Sequence, residues 1–126
     1  MGMFEITRAF SSFAAPDLQA ARNFYEGVLG LEVSEEMDGY VLNLKLPGGD
    51  VMVYAKPDHE PATYTTLNFE VADIDAAVDA LADAGVAMEL YDGFDQDERG
   101  IARGPEGPPI AWFRDPAGNI LSVLQP

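Results

Sequence analysis

Thr66, Asn68 and Glu70 alternate with Leu67, Phe69 and Val71 along one short run of this 126-residue chain. In an extended strand, successive side chains point to opposite faces, so the polar set shares one face and the apolar set the other. A polar side chain buried without a partner costs about 1–3 kcal/mol, so Thr66 and Asn68 are expected on an accessible face. The same reasoning places Ser122 among Ile120 and Leu124, and Ser12 between Phe10 and Ala14. Trp112 lies two residues before Arg114 in a neighbouring run and is expected to line the same space. A few hydrogen-bonding anchors between apolar walls suit non-covalent recognition of a small molecule. Arg99 and Arg103, two of only seven bases, lie in one long loop. There they either clamp an anionic group or pair with their neighbours Asp95, Asp97 and Glu98.

Covalent and acid–base chemistry has weaker candidates. His59 stands between Asp58 and Glu60 in a polar linker, where a lone histidine is more often exposed than catalytic. Glu70 lies on the polar face of its strand. No Gly-x-Ser-x-Gly elbow is present to present a nucleophile. The run Asp95-Gln-Asp97-Glu98 lacks the ligand spacing of a calcium loop and reads as a solvated charge run. The glycine and proline clusters at Gly48-Gly49 and Gly104–Pro109 read as turns, not as phosphate cradles. No catalytic residue is assigned.

The elements that position these residues come from an internal echo. Phe13 through Leu29-Gly30 recurs as Phe69 through Ala84-Gly85, with Phe13/Phe69, Asp17/Asp73 and Ala20/Ala76 each 56 residues apart. A second echo sets Leu46-Pro47-Gly48-Gly49-Asp50 against Asp115-Pro116-Ala117-Gly118-Asn119, 69 residues on. Asp17 and Asp73 are predicted helix N-caps, and Gly30 is a predicted C-terminal glycine. Leu18, Ala21, Tyr25, Val28 and Leu29 form the apolar stripe of a helix over Asp17–Leu29. Ile74, Ala77, Leu81 and Ala84 do so over Asp73–Ala84, with Asp75, Asp79 and Asp83 outward. Strands are predicted at residues 9–15, 32–34, 40–46, 50–55, 64–71, 87–91, 110–115 and 120–124.

Each copy is then βαβββ: residues 8–55 and 64–126, joined by a linker at 56–63, in a single domain spanning 1–126. The expected fold is α+β, two tandem modules forming a curved eight-stranded mixed sheet around a cleft, since two copies of one unit bury their open faces together. By the 56-residue offset, Phe10, Ser12 and Ala14 join Thr66, Asn68 and Glu70 on the cleft face. By the 69-residue offset, Val51, Val53 and Ala55 join Ile120, Ser122 and Leu124. The copies differ mainly by a glycine- and proline-rich insertion, Asp92–Pro109, of a length that is usually functional or mobile.

Composition narrows the partners. Net charge is −15, from 22 acids and 7 bases, which disfavours nucleic acid and anionic membrane surfaces; the acidity serves solubility on the favoured reading, and on the competing one draws a cationic ligand toward a cleft. No apolar run approaches a membrane span. Absent cysteine and an N-terminal stretch without a signal-like pattern fit a cytoplasmic location.

Three pieces resemble the vicinal oxygen chelate superfamily, which includes glyoxalase I, bleomycin- and fosfomycin-resistance proteins and extradiol dioxygenases. They are Asp17-Leu18 with Phe24–Gly30, Phe69–Ala77, and Phe113-Arg-Asp115-Pro116-Ala-Gly118-Asn119. The resemblance implies the paired βαβββ fold and a homodimer. It also implies metal ligands on the first strand of each module, seven residues before the capping Asp, and in each last strand. Here those positions hold Phe10, Thr66, Val53 and Ser122, none an ordinary divalent-metal ligand, so no metal and no cofactor is expected. The reading is a metal-free protein that binds or sequesters a small molecule, with Phe10, Ser12, Val53, Thr66, Asn68, Arg103, Trp112 and Ser122 as the ligand site. An isomerase or lyase acting without the metal is the alternative, and an interaction module with a packed interior is a third.

Overall fold

Both halves of the chain begin with an apolar strand that runs into an aspartate-capped helix. A computed structural model describes residues 4–105 and 107–126; Met1–Met3 of the N-terminal stretch and Glu106 of the loop run lie outside the described residues. The fold is α+β, in two compact units, Met1–Asp58 and His59–Pro126.

In the first unit, β1 (Ser11–Ala15) leads to Asp17, whose Oδ1 accepts the N–H groups of Gln19 and Ala20 at 3.0 and 3.1 Å. That cap satisfies two donors with no partner inside the helix and starts α1 (Leu18–Arg22). The helix then widens into a π turn at Asn23–Val28, where Leu29 N–H reaches back to Phe24 C=O. The wider turn lets the adjacent aromatics Phe24 and Tyr25 both bury, with their rings edge to face at 5.2 Å. Gly30, at φ +75°, ends the helix where a side chain would be strained. Strands β2 (Glu32–Glu36), β3 (Val41–Lys45) and β4 (Val51–Ala55) complete a sheet of order β1-β4-β3-β2, with β1 and β4 parallel.

The second unit repeats the plan. It comprises β5 (Thr65–Glu70), α2 (Ile74–Asp83) capped by Asp73, β6 (Ile110–Arg114) and β7 (Ile120–Leu124). The sheet order is β5-β7-β6, with β5 and β7 parallel. Helix α2 buries Ile74, Val78 and Leu81, so Val78 takes the inward place expected of Ala77. A strand is expected at residues 87–91. The segment keeps that strand's place with two backbone ties, a bridge from Met88 to Phe113 and a bond from Glu89 N–H to Trp112 C=O at 2.8 Å. The linker closes onto the β6–β7 turn. Asn119 gives its amide N–H to Asp115 at 2.9 Å and accepts His59 Nε2–H at 3.0 Å, so this histidine is a structural tie.

Hairpin length decides which face each residue takes. In the first unit, Gly49 N–H bonds Leu46 C=O, leaving a two-residue loop, Pro47-Gly48. In the second, Asp115 N–H bonds Asn119 C=O, leaving a three-residue loop, Pro116–Gly118. One extra residue turns every later side chain of a strand to the other face. Ser122 therefore corresponds to Met52, not to Val53. Val53 pairs with Phe13 and Leu42, and Phe13 packs on Tyr25 of the helix at 6.0 Å. Val53 is thus fully buried on the helix side, contrary to the face expected from the turn echo.

Two glycines test this account. Gly118 has φ +86°, and a Cβ there would stand 3.1 Å from Pro61 Cγ. Gly118→Ala is expected to cost about 1–2 kcal/mol in urea unfolding, because a left-handed position and a close contact are both violated. Gly27 lies in the helical π turn with nothing within 4 Å of a Cβ. Gly27→Ala is expected to be neutral or to stabilise by up to about 1 kcal/mol in the same measurement.

Candidate functional site

The sheet face turned away from α2 gathers most of the chemistry in the second unit. Asn68, Ser122 and Trp112 stand side by side across β5, β7 and β6. The buried Ser122 hydroxyl donates to Asn68 Oδ1 at 2.5 Å, which fixes the amide and turns its N–H₂ outward. Thr66 is the extra residue of a bulge between Thr65 and Leu67, and its hydroxyl donates to Ile120 C=O at 3.2 Å. These four residues share one part of the second unit.

The other candidates lie elsewhere. Ser12 is exposed on β1, in register with Met52. Phe10 precedes β1, half-exposed, with the Arg8 guanidinium 4.7 Å from its ring centre. Val53 is turned to the helix. Arg103 reaches α2, pairing with Asp75 at 2.6 Å and with Asp97 at 3.7 Å.

Sequence reasoning missed the wall facing Trp112. Phe94 lies 5.0 Å from Trp112, ring centre to ring centre, and Tyr91 lies 5.5 Å from it on an edge. Around the pair opens a pocket of about 510 Å³, lined among the described residues by Gly93, Phe94, Asp95, Ala102 and Ile110 with Gly104, Pro105, Gly107 and Pro108. That volume falls in the range of about 300–1,000 Å³ typical of small-molecule sites. The legible signal was the insertion itself: aromatic Tyr91 and Phe94 flank its first glycine. The Tyr91 hydroxyl is buried with no hydrogen-bond partner among the described residues, and burial raises its pKa, opposed by Arg114 and reinforced by Glu89.

The insertion is held from behind by charge. Arg99 donates to Asp75 Oδ1 and C=O at 2.8 and 2.9 Å and pairs closely with Asp79. Gln96 stitches the base of the loop, accepting Tyr91 N–H at 2.7 Å and donating to Glu89 and Gly100 carbonyls at 2.9 and 2.8 Å. Ile101 is buried beneath. Burial alone pushes the Asp97 carboxyl up, but the N–H groups of Ile101 and Arg99 and the charges of Arg103 and Arg99 hold it below the ordinary value. The arginines are therefore anchors of the loop on α2, not part of the pocket lining.

The sequence matches the Glyoxalase/Bleomycin resistance protein/Dioxygenase superfamily over residues 9–123. The chain belongs to this superfamily. Solved structures with the same fold include a lactoylglutathione lyase from Agrobacterium tumefaciens, 22% identical, TM-score 0.70, covering 96% of this chain and 95% of that one. Another is TnmS3, an antibiotic-binding protein from Streptomyces sp. CB03234, 21% identical, TM-score 0.68, covering 100% and 98%. A superfamily member from Sphaerobacter thermophilus DSM 20745 is 22% identical with TM-score 0.68, covering 93% and 94%. No curated protein matches the sequence. Among the described residues no helix is long and apolar enough to cross a membrane.

The superfamily's metal positions do not offer a donor set here. Phe10 is a ring, Val53 is an isopropyl group on the helix side, and the hydroxyls of Thr66 and Ser122 are donated to Ile120 and Asn68. Among the described residues no three of His, Cys, Asp and Glu gather as metal ligands.

The loop anchor gives two expected results. Arg99→Gln should speed amide exchange of Ile101 and Ala102 while leaving β7 amides unchanged, because only the clasp is lost. Because Asp97 ionises below its ordinary value of 3.8, its contribution is complete above that value and fades as pH falls through the lower folded value. The protection of the Ile101 amide, whose N–H donates to Asp97, measured against the intrinsic exchange rate at each pH, should therefore fall on acidification in that window and not between neutrality and the ordinary carboxylate range.

Proposed function

We propose that this superfamily member binds and sequesters a small, partly aromatic molecule in the Trp112–Phe94 pocket, without a metal and without turnover. The observation that carries the reading is the pocket's lining: two aromatic rings, small residues and prolines, with Asp95 as the one titratable side chain among the described residues. General acid–base work calls for groups with matched roles at the reacting atoms, and a single carboxylate among apolar walls supplies recognition more readily than proton transfer. His59, the other acid–base candidate, is bonded to Asn119 in the linker turn. The likeness to an antibiotic-binding protein from Streptomyces agrees with this reading. A homodimer and a cytoplasmic location belong to the proposal, from the resemblance and from composition.

An isomerase or lyase is the second reading, favoured by the likeness to a lactoylglutathione lyase. A glutathione thioester carries carboxylates that need cations. Six of the seven bases, Arg22, Lys45, Lys56, Arg99, Arg103 and Arg114, already pair with acids, and Arg8 stacks on Phe10. That commitment argues against such a substrate.

Trp112 is the chain's single tryptophan, so its fluorescence reports on the pocket alone. A thermal-shift screen of antibiotics and metabolites, with and without divalent metals, should find ligands that raise the melting point and quench Trp112 at unit stoichiometry with no product formed. Protein purified without chelator should carry less than about a tenth of an equivalent of zinc, nickel, iron or manganese. Metal-dependent conversion of a hit would overturn the proposal.

A further inference from the structure

The pocket's donors, acceptors and charges say more about its ligand than its volume does. Its walls are π surfaces: Phe94 is half-exposed, and Trp112 is held in place by Phe94 on one side and Tyr91 on an edge. Aromatic faces carry negative charge density and attract cations, most strongly on tryptophan. Among the described residues Asp95 is the one charged residue in the lining, and its carboxylate takes part in no ion pair or hydrogen bond with any of them. Pro105 and Pro108 bring no backbone N–H to their side of the pocket.

An anion would find none of what it needs here. The two arginines nearest in sequence, Arg99 and Arg103, are turned to the acids of α2. Arg114 is tied to Glu89 at 2.6 Å and to Gly118 C=O at 2.9 Å. A neutral ring would satisfy the walls but leave Asp95 unused. A flat cation uses both, and the chain's net charge of −15 raises its local concentration.

We infer that the Trp112–Phe94 pocket selects a planar aromatic cation, packed on the exposed Phe94 ring and against the accessible part of Trp112, with its positive N–H groups toward Asp95. The inference rests on the reading of this pocket as a small-molecule site.

Three tricyclic probes of similar shape separate charge from shape: proflavine, a cation near neutral pH, acridone, which is neutral, and anthracene carboxylate, an anion. Titrations followed by calorimetry and Trp112 quenching should give proflavine binding about tenfold tighter than acridone, with the anion weakest. Asp95→Asn should bring proflavine down to the level of acridone and leave acridone unchanged. Glu36→Gln, an exposed acid of the first unit, removes the same net charge and should leave both affinities within about twofold. Equal binding of proflavine and acridone, or equal losses in Asp95→Asn and Glu36→Gln, would overturn the charge selection while the pocket itself still binds aromatics. If none of the three probes quenches Trp112 in folded protein, the choice of ligand class and the pocket reading beneath it both fail.

Discussion

The second hairpin loop, Pro116–Gly118, is one residue longer than its counterpart, and the composition of the site follows from that difference. Asp115 Oδ1 accepts the N–H groups of Ala117 and Asn119 at 2.9 Å each, and Gly118 supplies the positive φ that closes a three-residue turn. With that length, β7 presents Ser122 beside Asn68 and Trp112, while Leu121 and Val123 turn to the helix side with Leu67 and Phe69. With the two-residue loop of the first unit, the row beside Ser12 is Met52 and Asn43 instead. The two units share a plan and differ in the chemistry of their open faces because strand register has no intermediate setting.

A second constraint is electrostatic. With 22 acids and 7 bases, each cation has several acids to choose from, and the fold uses the cations for construction. Arg99 and Arg103 hold the inserted loop to α2, and Arg114 holds Glu89 beside β6. Each pair is partly exposed and so individually weak. The loop does not rely on charge alone: the Gln96 bonds and the buried Ile101 hold the same segment. One result is a pocket wall, Phe94–Asp95, supported from behind by residues that never enter the pocket.

On the proposed reading, a superfamily fold here outlasts its usual metal chemistry. Where metal-using relatives place ligands, this chain has a phenyl ring, an isopropyl group and two engaged hydroxyls, and the aromatic pocket is built instead by an insertion that only the second unit carries. Function on a shared fold is set by such local grafts.

What the sequence by itself determined is whatever depends on near neighbours along the chain. Asp17 and Asp73 cap helices because a carboxylate reaches the N–H groups two or three residues on. Gly30 and Gly85 end those helices because they adopt positive φ without strain. Alternation placed Asn68, Ser122 and Trp112 on one face because it is a property of any strand. Tertiary structure alone decided three things. Val53 turned to the helix because the hairpin length, not the echo of its residues, sets the register. Arg99 and Arg103 reached Asp75 and Asp79, across 20 to 28 residues, with Arg103 keeping its neighbour Asp97 as well, because charge pairing acts through space. Phe94 met Trp112 because a long loop is placed by its anchors, and the acids that hold this one, on α2, lie 15 or more residues before the ring in sequence.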